Sequence, residues 1–61
     1  MTSLTTKELT ALEDTINSEQ VLVKKYRAMA QMASDNTIKQ DLNGFAEKHQ
    51  QHANTLLTFL Q

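Results

Sequence analysis

Ala33-Ser34-Asp35-Asn36-Thr37-Ile38 is the stretch on which the fold turns. Ser, Asp and Asn bond the nearby backbone with short polar side chains, so they favour turns and helix N-caps over helix interiors. On both sides of this break the apolar residues return at helical spacing. Upstream the stripe runs Leu9, Leu12, Ile16, Glu19, Val23, Tyr26, Ala30, Ala33, in steps of three and four. Downstream it runs Ile38, Leu42, Phe45, His49, His52, Leu56, Phe59, in the same steps. Such a stripe is the seam of a helix packed along its length. Asp35 is the expected N-cap of the second helix, and Thr37 with Gln40 offers a further capping box. Thr5, three residues before Glu8, forms the capping box that starts the first helix. The expected fold is all-α: one helical hairpin domain over residues 1–61, with helix one at about 6–33, a turn at 34–36 and helix two at about 36–60. A connection this short makes the helices antiparallel.

Composition agrees with this class and excludes others. The chain has 61 residues, no Pro, no Cys and one Gly. That length allows one small domain, and the absence of Pro with only a single Gly argues against a loop-rich or all-β chain. Without Cys there is neither a disulfide nor a thiolate metal site. A net charge of −1 argues against nucleic acid as a ligand, since phosphate binding needs a basic surface. The longest apolar run, Val21-Leu22-Val23, is far short of the roughly 20 residues that span a bilayer. Met1-Thr2-Ser3-Leu4 shows neither the basic nor the apolar region of a signal peptide. The expectation is a soluble protein of the cell interior, with no membrane and no nucleic acid among its partners.

Facing positions of an antiparallel hairpin have a constant sum. Ala30 with Ile38, Tyr26 with Leu42, Val23 with Phe45, Glu19 with His49, Ile16 with His52, Leu12 with Leu56 and Leu9 with Phe59 all sum to 68. Two stripes read separately thus give one register. That register sets Glu19 level with His49, and His52 one turn further along. A second apolar set lies beside the seam: Val21, Leu22, Met29 and Met32 on helix one, with Ala46, Ala53, Leu57 and Leu60 on helix two. Two helices cannot enclose both sets. Two hairpins pairing as a homodimer, or a higher homo-oligomer, form a four-helix bundle that does. Gly44 falls inside helix two, where the apolar steps continue unbroken, and is expected to be tolerated there.

Glu19, His49 and His52 form the candidate metal site. Two imidazoles at i and i+3 facing a carboxylate have the donor types of a transition-metal centre. The same three residues also suit a hydrogen-bonded polar layer that fixes helix register without any ion. Tyr26, two turns from Glu19, is placed for its hydroxyl to reach that layer. Lys24, Lys25 and Arg27 read as a solvated face, and Met29 and Met32 as interface filler. No residue is assigned a catalytic role, because no nucleophile is paired with a base and no glycine-rich loop is present.

Glu13-Asp14, Glu19-Gln20, Lys24-Lys25-Tyr26, and Glu47-Lys48-His49-Gln50-Gln51-His52 followed by Asn54-Thr55-Leu56-Leu57 resemble the small coat-protein-F-like chains of spore-forming bacteria. The resemblance covers nearly the whole chain. Asn36 stands where that family's turn favours proline. The resemblance implies a ferritin-like half-bundle that dimerises. It also implies a small structural or assembly protein of the spore coat or the surrounding cytoplasm, with coat proteins as partners. The alternative is a His/Glu metal-binding bundle formed at the dimer interface, with Zn, Fe, Cu or Ni as its ion. Ferritin-like bundles carry a Glu on one helix and Glu-x-x-His on the next in each half. Glu19 matches the first Glu and His52 the histidine, whereas His49 stands in place of the motif Glu. A dimer then has two carboxylates where a di-iron site has four, which argues against oxygen-activating chemistry and towards Zn, Cu or Ni. Small sporulation phosphatases are also two-helix hairpins, but their Ser-Gln-Glu-Leu-Asp signature is replaced here by Asn17-Ser18-Glu19-Gln20-Val21.

Overall fold

A computed structural model describes residues 3–61. Met1 and Thr2, half of the segment read above for a leader, lie outside the described residues. The described chain has two helices and no strand: α1 at Thr6–Met32 and α2 at Asn36–Thr58. Both starts follow from caps. The Glu8 backbone N–H donates to Thr5 Oγ1 at 3.0 Å, and the Thr5 N–H donates to Glu8 Oε1 at 2.9 Å. At α2 the Ile38 N–H donates to Asp35 Oδ1 at 2.9 Å. Thr37 lies inside the first turn of α2, and the cap rests on Asp35 alone. Phe59 and Leu60 follow α2 in a terminal turn.

The three-residue connection Ala33–Asp35 folds α2 back along α1. Contacts pair residues in reversed order, Tyr26 with Phe45 and Glu19 with His49 and His52, so the helices are antiparallel. The hairpin measures 46 × 16 × 11 Å, close to the roughly 40 Å expected of a 27-residue helix. No helix among the described residues is long and apolar enough to cross a membrane.

Along α1 the expected stripe holds from Leu12 to Ala33, with Ile16, Val23 and Ala30 buried, but its first member Leu9 is exposed near the open end of the hairpin. The seam of α2 differs from the expectation at alternate layers. Leu42, His49 and Leu56 are half-buried as expected, but Ala46 and Ala53 are the fully buried positions. Ile38, Phe45, His52 and Phe59, expected to face Ala30, Val23, Ile16 and Leu9, are exposed on one flank. Ala46 and Ala53 therefore belong to the seam and not to the second apolar set. The physical reason is size. Alanines between two helices let the backbones approach closely, and a phenylalanine in the same place would force them apart. The large side chains are turned out beside the seam.

Gly44 sits on the exposed back of α2, and nothing lies within 4 Å of the position its Cβ would take. The helix runs through it without a break.

Candidate metal centre

Glu19 projects from the middle of α1, and His49 and His52 project from successive turns of α2. The i, i+3 spacing puts both imidazoles on one side of α2, and the antiparallel pairing brings α1 alongside. Glu19 Oε2 is 3.0 Å from His49 Nδ1 and 3.0 Å from His52 Nδ1. An ionised carboxylate oxygen can only accept, so both imidazoles donate to this one oxygen through Nδ1. One donor atom from each of the three residues lies within 4.8 Å of the others.

The three donors differ in exposure. The Glu19 side chain is 16% exposed, His49 24% and His52 61%. Tyr26 covers His49: their rings stack at 5.5 Å and 14°. Phe45 meets Tyr26 edge-on at 5.5 Å, and His52 meets His49 edge-on at 5.4 Å. It is the ring of Tyr26, rather than its hydroxyl, that joins the polar layer. Its place in the α1 stripe, seven residues from Glu19, is the signal in the sequence for that contact. A shallow depression lined by Glu19, His52, Thr55 and Leu56 opens the cluster to the outside.

The bond from His49 holds the Glu19 carboxyl below its ordinary value. Partial burial opposes this, and His52 adds to it. Glu19 is therefore an anion at neutral pH, as a metal ligand must be. The N···O separations of 3.0 Å are close to the roughly 3.3 Å between adjacent ligands of a tetrahedral ion with ligand bonds of about 2.0–2.1 Å. Glu19 Oε2 and the two Nδ1 atoms would hold such an ion, with each imidazole neutral and its proton on Nε2.

The seam divides the hairpin into two unlike sides. One carries the cluster: helical spacing sets Leu22 and Met29 beside Glu19 and Tyr26 on α1, and sets Ile38, Phe45 and Phe59, all exposed, on the flank of α2 that bears His52. The other carries Gln20, Lys24, Arg27 and Gln50 around a shallow cleft. Compared with protein-family models, with curated proteins and with solved structures, the chain finds no match.

Proposed function

We propose that this chain is a small helical assembly protein that holds a divalent transition-metal ion through Glu19, His49 and His52, in a ferritin-like four-helix bundle made by two copies. The observation that carries the metal reading is the convergence of one carboxylate and two imidazoles, from two helices, onto a single point. Imidazole and carboxylate donors suit Zn, Cu, Ni or Fe(II) over Mg or Ca. With one carboxylate per chain, the chemistry supported is binding rather than oxygen activation.

A second reading is a purely structural part of spore-coat type, in which the three residues fix helix register. It is favoured by the hydrogen bonds themselves, since Glu19 satisfies both imidazoles with no ion needed.

Metal content per chain separates the two. Untagged protein purified without chelator is re-supplied with Zn, Fe, Cu and Mn and analysed by elemental mass spectrometry. The metal reading expects an ion at a fixed ratio to chain that is lost in His52→Ala. No ion above background, together with unchanged or higher stability in the His49→Leu/His52→Leu double variant, establishes the register reading instead.

A further inference from the structure

The cluster sits at the centre of the apolar side. α1 has 27 residues, Thr6–Met32, so Glu19 has thirteen on either side of it. Towards the turn, this side carries Met29, Ile38 and Phe45, exposed by 51%, 53% and 47%. Towards the chain ends it carries Leu56 and Phe59, the latter 52% exposed. Apolar, polar, apolar along the long axis is a self-complementary order. A twofold interface requires that order, because one surface must meet its own copy. A face of 46 by 16 Å is on the order of 700 Å², near the roughly 800 Å² per partner of a stable interface.

Charge decides what two such faces hold between them. A divalent ion with one Glu19 and two neutral imidazoles leaves a net charge of +1. Covering that with a second apolar face is unfavourable. Two ions in a pair of triads leave +2. One ion shared by two triads has two carboxylates against two positive charges and is neutral. It also finds two oxygen and four nitrogen donors, enough for six-coordinate Ni, Zn or Fe(II).

We infer that two copies of this chain meet face to face through the Glu19 layer and share one divalent transition-metal ion, so that ion binding and pairing are a single linked event. This rests on the metal reading above. The three donors of one chain are an incomplete site, open on the side where the second copy lies.

The experiment is a titration of the full chain with Co(II) and with Zn, followed by calorimetry, with sedimentation velocity at each metal ratio. The expected result is saturation at one ion per two chains, with conversion to dimer at the same ratio. Saturation at one ion per chain overturns the shared site and leaves the metal reading standing. Absence of binding for every ion overturns both.

Two variants test the linkage without touching a donor. Phe45→Lys places a charge on the face, and by reciprocity it should weaken Co(II) affinity at least tenfold as it weakens pairing. Gly44→Lys places the same charge on the exposed back of α2, where nothing lies within 4 Å, and should leave affinity unchanged. Circular dichroism confirms that both variants remain helical. Equal affinity in wild type and Phe45→Lys overturns the linkage.

Discussion

Thr5 and Glu8 show how a local rule becomes a measurable property. Their two reciprocal bonds satisfy backbone donors that the first turn of α1 leaves free. Thr5→Ala should cost about 1 kcal/mol, read as a lower unfolding midpoint in urea. The bond from the Thr5 backbone holds the Glu8 carboxyl below its ordinary value. A carboxylate depressed on folding contributes stability above the ordinary carboxylate range, and that contribution disappears as pH falls through the folded pKa. Thermal stability should therefore decline below about pH 4, and Glu8→Gln should flatten that part of the profile. Gly44 runs the other way. It is helical and exposed, with open space around it, so Gly44→Ala should stabilise the chain by about 1 kcal/mol in chemical denaturation.

At the scale of the helices, the sequence made some features legible and hid others. The turn, both caps and the meeting of Glu19 with His49 and His52 were readable, because each depends on residue type at fixed spacing. The buried line of α2 was not. Ile38, Phe45 and Phe59 are more hydrophobic than Ala46 and Ala53, so apolar strength pointed to the wrong neighbour at alternate layers. What decides the seam is the distance between helix axes, and close approach selects small side chains whatever their hydropathy. Ala53 is 0% exposed, and Ala53→Leu should push the helices apart at a cost of about 1–3 kcal/mol in equilibrium unfolding. Had His52 and Phe59 formed the seam, as the stripe suggested, Ala53 would lie on a flank and the same substitution would cost little. The reciprocal sharing of one Glu19 oxygen was also beyond the sequence, since spacing shows which residues meet and not which atoms do.

At the scale of the molecule, the buried residues among those described are Ile16, Val23, Ala30, Ala46 and Ala53, and none of these is larger than isoleucine. The bulk of the large apolar side chains lies outside that line. A chain of this size buries only about 60% of the surface it exposes when unfolded. In the proposed dimer stability is coupled to concentration, so its melting temperature should rise as chain concentration increases from about 1 to 100 μM. A melting temperature independent of concentration would return the chain to a lone hairpin.

The three-residue turn also sets how the hairpin comes together in time. Helix–helix pairs nearest the turn close the shortest loops, and each pair formed shortens the loop that the next must close. Assembly then runs as a zipper from Asp35 outward, with little of the entropic delay that distant contacts impose. Losing the Asp35 cap should slow refolding, whereas trimming Phe59 at the far end should mainly hasten unfolding. Stopped-flow refolding of Asp35→Ala and Phe59→Ala reads the two effects on opposite arms of one chevron.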